Sequence, residues 1–235
     1  MGVSFLNLKI LFGVLVMLFL VVGCVPKPAE TQNQNEQTAP PAEQPAAPEQ
    51  PAPKPELSQD IKDILAKTSK VKSFSYIYSE NLAGTASYYV MGDKLKISYG
   101  PKQIYNSFNY YDIYIDRLDK KEYLVCNKDS ECKGKLGTNI TYGTFGKETP
   151  LDIANKIDNG QITERTQIDN KNTAIVFYTN SNGEEERVWL WDFYGLPLKR
   201  EIQRNGKTLT ILYDKLDVNL VEAPDVTLPS GLEMS

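Results

Sequence analysis

Histidine is missing from all 235 residues of this chain. That removes the usual general base near neutral pH and the commonest zinc ligand. A Ser-His-Asp or Cys-His catalytic group is therefore impossible within the chain. Positive charge is also in short supply, with 26 Lys and Arg against 30 Asp and Glu and a net formal charge of -4. The basic residues are dispersed among acidic ones, so there is no stripe to neutralise phosphates, and nucleic acid is excluded as a partner. Large apolar residues are nearly absent from residues 26–55, where Pro, Ala, Gln and Glu dominate. Pro40, Pro41, Pro45, Pro48, Pro51, Pro53 and Pro55 recur too often for helix or sheet. With so little to bury, this stretch cannot offset the entropy of folding. It reads as a disordered spacer with a reach of about 30 Å as a coil and about 100 Å extended.

What precedes the spacer is an export signal. Lys9, the apolar run Ile10 to Val22 and the small Gly23 match a secretory signal peptide. The run falls short of the roughly 20 residues that span a bilayer. Counting back to Val3 lengthens it to about that figure, so an uncleaved signal anchor is the alternative. Val21-Val22-Gly23-Cys24 resembles the bacterial lipobox, in which the cysteine thiol receives a diacylglyceryl group before cleavage at its N-terminal side. The resemblance implies lipidation at Cys24 and a place on the extracytoplasmic face of the cell membrane. Each buried methylene adds roughly 0.8 kcal/mol to such an anchor, and two chains hold far better than one. The expected organisation is a signal peptide over residues 1–23, the lipidated cysteine and its tether over 24–57, and a single domain over 58–235.

In the domain, Leu57, Ile61, Ile64 and Leu65 fall at helical spacing, with Ser58 as N-cap. Short alternating strands follow at 73–79, 87–91, 94–99, 110–117 and 122–126, with Gly92-Asp93 as a hairpin turn. Thr149-Pro150 opens a second, short helix that Asn159-Gly160 closes. Strands at 161–168, 173–179, 185–193, 198–204 and 208–217 complete the pattern. Their turns are Asn170-Lys171, Ser181-Asn182-Gly183, Tyr194-Gly195 and Asn205-Gly206. Turns this short demand antiparallel pairing. The expected fold is α+β but mainly β: a large curved antiparallel sheet or unclosed β-barrel, with the N-terminal and mid-chain helices on one face.

Tyr89-Val90-Met91-Gly92-Asp93-Lys94-Leu95, Val188-Trp189-Leu190-Trp191-Asp192 and Gly195-Leu196-Pro197-Leu198-Lys199 follow in that order. With the ending Ala223-Pro224-Asp225 to Leu228-Pro229, the pattern resembles the LolA-like lipoprotein-carrier superfamily across nearly all of residues 58–235. The resemblance implies an unclosed barrel capped by helices, with an apolar cavity for acyl chains and no cofactor. It implies a membrane-tethered lipoprotein that binds a lipid or other hydrophobic ligand without catalysis. No ligand-binding residue carries over by motif, but in an aromatic-lined groove for lipid or glycan Phe74, Tyr76, Leu95 and Ile97 would help form the wall. The alternative is an envelope protein-interaction or sensor module with a filled core and no ligand cavity.

Cys126 and Cys132 flank a polar turn, and in an exported domain they read as a disulfide. Two thiolates without histidine make a poor metal site, so no metal is expected. Asn139-Ile140-Thr141 is an N-glycosylation sequon, relevant where the host glycosylates exported proteins. The 14 tyrosines read as strand and core composition or as the lining of an aromatic groove. Asp112, Asp116 and Asp119 read as solvated strand and turn positions, leaving no catalytic candidate.

Overall fold

The computed structural model describes residues 56–81, 83–132 and 136–234. The expected signal peptide, Cys24 and the expected tether up to residue 55 lie outside them. Helix α1 (Gln59–Ala66) buries Ile61 and Ile64 and runs on into a single 3-10 turn at Lys67–Lys70. Ser58 sits at the N-cap in extended conformation, but its side chain makes no capping hydrogen bond. Its carbonyl accepts from the Lys62 amide at 3.1 Å.

Six strands follow: β1 (Ser73–Glu80), β2 (Ala83–Met91), β3 (Lys94–Tyr105), β4 (Phe108–Asp116), β5 (Lys121–Cys126) and β6 (Leu136–Ile140). A short helix, α2 (Asp129–Cys132), separates the last two, and α3 (Pro150–Ala154) follows. The second meander comprises β7 (Gln161–Ile168), β8 (Lys171–Thr179), β9 (Glu185–Trp191), β10 (Pro197–Arg204) and β11 (Lys207–Val218); β12 (Glu233–Met234) ends the chain. They form one unclosed, curved 12-stranded sheet in the order β12-β6-β5-β4-β3-β2-β1-β11-β10-β9-β8-β7. Every pairing is antiparallel except the two-residue contact of β12 with β6. Antiparallel pairing of β1 with β11 joins the two meanders at the centre.

The cross-strand register defines one continuous inner face. It runs through Val176, Val188, Arg200 and Ile211, on to Tyr78 and Tyr213, then through Tyr88, Ile97, Ile113 and Leu124. Both α1 and α3 cover this face, as expected from the sequence. Ile61 and Ile64 pack on Ala174, Val176, Val188 and Leu190, and Leu151 of α3 packs against the larger core built on β1 to β5, β10 and β11. Thr149 caps α3 through a capping box with Asp152, with Pro150 in its first turn.

Several boundaries differ from expectation, each for a local reason. Strand β6, which carries Asn139, is too short and polar to show alternation. Strand β3 continues past Pro101 because its register shifts between Ser98 and Gln103, where proline forfeits no ladder hydrogen bond. Helix α3 stops at Ala154, before Asn159-Gly160. Gly160 serves a different need: its φ is +121° and a Cβ there would lie 2.6 Å from the Phe177 carbonyl oxygen. The solvated reading of Asp112 is corrected as well, because that carboxylate is buried. It accepts from Asn127 Nδ2 at 2.5 Å and lies 3.6 Å from Lys96 Nζ. Asp119 is exposed, as expected, and lies 3.5 Å from Lys121.

A buried carboxylate holds the loop that leads to α3. Glu122 lies on the inner face and accepts from the backbone amides of Gly143 at 2.7 Å, Thr144 at 3.1 Å and Phe145 at 2.8 Å. Phe145 is thereby set edge-on against Tyr105, with ring centroids 5.3 Å apart. Replacing Glu122 with Ala should cost about 3 kcal/mol, since charge-assisted acceptors are lost from a dry site. Hydrogen exchange should show protection lost at residues 143–145 while β1 and β11 keep theirs. Cys126 and Cys132 form the expected disulfide, with Cα atoms 5.7 Å apart. Its small ring predicts that reduction lowers stability by about 2 kcal/mol, measurable as a shift in denaturant midpoint.

Candidate functional site

The four residues expected to wall a ligand groove lie together on the inner face, packed inside the main core. Phe74, Tyr76, Leu95 and Ile97 are each 0–2 % exposed. Their neighbours lie on the flanking strands: Tyr76 stacks on Tyr88 of β2 with centroids 4.9 Å apart and meets Tyr213 of β11 edge-on at 5.4 Å. One polar atom there has no partner. The Tyr76 hydroxyl is fully buried without a hydrogen bond, and burial first, then Tyr88 and Tyr213, pushes its pKa well above the ordinary value.

Open space on the inner face lies beside this core. A cleft of about 530 Å³ is bounded by the end of α3 and by β8 to β11. Ile153, Ile202, Leu209 and Ile211 supply apolar wall, while Glu186 and Arg200 form its charged floor. Glu186 and Arg200 are nearly inaccessible and are joined by a bidentate pair, with Arg200 Nη2 3.0 Å from Glu186 Oε1 and Nε 3.2 Å from Oε2. The Tyr178 hydroxyl donates to the same carboxylate at 2.7 Å, as does Asn180 Nδ2 at 2.7 Å. Burial alone would lower the Arg200 pKa, but Tyr213 and Glu186 outweigh it and hold the guanidinium charged. At the mouth, Arg204 donates to Glu184 at 2.6 Å, and this hydrogen bond holds the Glu184 carboxyl down to about 2.

Sequence reasoning passed over Glu122, Glu186 and Arg200. The signal was present in the alternation: Glu186 shares its parity with Val188 and Leu190, Arg200 with Leu198 and Ile202, and Glu122 with Leu124. A charge at a core-facing position must be paired. Chemically the cleft offers apolar contact and a fixed, charge-balanced floor. Among the described residues no three His, Cys, Asp or Glu side chains gather as a metal site. Asn139 lies exposed on β6, and no helix among the described residues is long and apolar enough to cross a membrane.

No protein-family model and no curated protein matches the sequence. Several solved structures resemble it at low identity. LprF from Mycobacterium bovis is 14% identical, with 74% of this chain and 96% of that one covered and a TM-score of 0.48. An uncharacterised conserved protein from Thermus thermophilus is 10% identical over 75% of this chain and 100% of its own, with a TM-score of 0.46. A LolA superfamily protein from Nitrosomonas europaea is 9% identical over 72% of this chain and 97% of its own, with a TM-score of 0.29.

The inner-face tyrosines generate a pH prediction. Burial first of all raises the pKa of Tyr76, Tyr78, Tyr88, Tyr178 and Tyr213, the last to about 12. An unfolded phenol ionises near pH 10, so the folded chain holds these protons after the unfolded chain releases them. The stabilisation is complete below about pH 10 and is lost as pH rises above it. The melting temperature should therefore fall steeply above that point, and less steeply in Tyr88→Phe. An unchanged melting temperature at pH 11 would contradict the burial.

Proposed function

We propose that this chain is a lipoprotein tethered through Cys24 to the extracytoplasmic face of a membrane, and that its domain binds a lipid or other amphipathic hydrophobic ligand without catalysis. The observation that supports this reading is the inner-face cleft. Its volume of about 530 Å³ lies within the roughly 300–1,000 Å³ usual for ligand sites. Apolar ligand surface would lie against Ile153, Ile202, Leu209 and Ile211, with a polar end at the mouth near Lys156 and Arg204. The floor contributes little net charge, because Arg200 already neutralises Glu186. Phe74, Tyr76, Leu95 and Ile97 form, in this reading, the packed wall behind the cleft.

The packing of those same four side chains supports a second reading, an envelope protein-interaction or sensor module whose core has no room for an acyl chain. Native mass spectrometry of the purified full chain separates the two. The lipid reading predicts a bound amphiphile, reduced at least about tenfold by Leu209→Trp, which fills the cleft. A chain that carries no bound mass, yet crosslinks in intact cells to one protein regardless of Leu209→Trp, would establish the second reading instead.

A further inference from the structure

The large apolar side chains left exposed are not scattered. Strand directions place the turns β2–β3, β4–β5, β7–β8 and β9–β10 at one end of the sheet, together with the entry to β1 and the exits of β6 and β11. Met91, Leu118, Tyr142, Phe193 and Leu220 all belong to these segments, and Leu118, Phe193 and Leu220 are 77%, 61% and 71% exposed. Ile104 and Met234 are the other exposed large apolar residues among those described, and they lie towards the opposite end. Scattered single apolar residues need no explanation, whereas a set gathered at one end does.

The composition of that end suits a lipid interface. Phe193 and Tyr194 meet edge-on at 4.7 Å, Tyr194 packs on Trp191 at 4.9 Å, and Lys171 Nζ lies 5.2 Å from the Trp191 ring. Aromatic rings beside lysine stems are the side chains that settle at headgroup depth. Lys70, Lys72, Lys94 and Lys120 share the end with Asp93, Asp119, Asp169 and Asp192, so the field of one sign is small. Apolar contact, with little dependence on salt, would carry the interaction.

The described chain begins at the edge of the sheet. Glu56 forms an antiparallel bridge with Asn159, just ahead of the edge strand β7. We propose that this end of the sheet rests on the bilayer that holds the Cys24 anchor, with Leu118, Phe193 and Leu220 set among the headgroups. The proposal rests on the anchored reading and goes beyond it by orienting the domain.

The test uses the full lipidated chain reconstituted into vesicles of equimolar phosphatidylcholine and phosphatidylglycerol with brominated acyl chains. Co-flotation reports the anchor, and quenching of tryptophan fluorescence reports the apolar end, because Trp191 lies there. Fluorescence should fall to roughly half its value in unbrominated vesicles, at low and high salt alike. The triple variant Leu118→Ser, Phe193→Ser and Leu220→Ser, all at exposed sites, should still co-float and lose the quenching. Co-flotation without quenching of the native chain would overturn the oriented contact and leave the anchor standing. Absence of co-flotation would overturn both.

Discussion

A sheet that never closes must find cover for its inner face from elsewhere in the chain. That need governs most of the architecture. Most strands of both meanders bring an apolar row to the same side, and among the described residues no second sheet lies opposite. Two short helices and the loop at 141–149 do the covering, and none is long enough to hold by its own propensity. Each is fastened by a specific contact. Helix α1 inserts Ile61 and Ile64 and lays its last turn against Gly195, where a Cβ would come 2.4 Å from the Ile64 carbonyl oxygen. The loop is gathered by the Glu122 carboxylate.

This dependence also explains why charges stand in a face that is otherwise apolar. A loop crossing a dry surface brings backbone amides that need acceptors, and Glu122 meets three of them. Glu186 and Arg200 answer a related need at the edge of the cleft, where the cover thins and water is close to the core. Their pairing is costly to desolvate and still more costly to break.

The architecture was largely legible in the sequence because antiparallel meanders advertise themselves twice, in alternation and in turns. Asn205-Gly206 does form a tight turn with both φ values positive, and Thr149-Pro150 does open α3. Strand β6 and the terminal strand β12 escaped because each is held by a neighbour and shows little pattern of its own. The site was less legible for a related reason. Phe74, Tyr76, Leu95 and Ile97 announce an apolar face, but apolar identity alone does not distinguish a wall that packs on its neighbours from one that borders open space. That distinction depends on where α3 ends and on which strands it covers, both long-range outcomes. The charged residues at core parity were visible, yet their meaning required knowing that Arg200 and Glu186 are diagonal neighbours across β9 and β10.

The seam between β1 and β11 has a kinetic consequence. Each meander is assembled from neighbouring strands joined by short turns, so its pairing closes small loops and can proceed early. The seam joins Phe74 to Val218 and Glu80 to Ile211, segments separated by most of the domain. Its closure entropy exceeds that of any hairpin here, although it grows only slowly with length. The two halves should therefore form as separate units that zip together last. Until then β1 and β11 each present a bare edge, and the interval before the seam closes is when this domain is most exposed to pairing with a stranger.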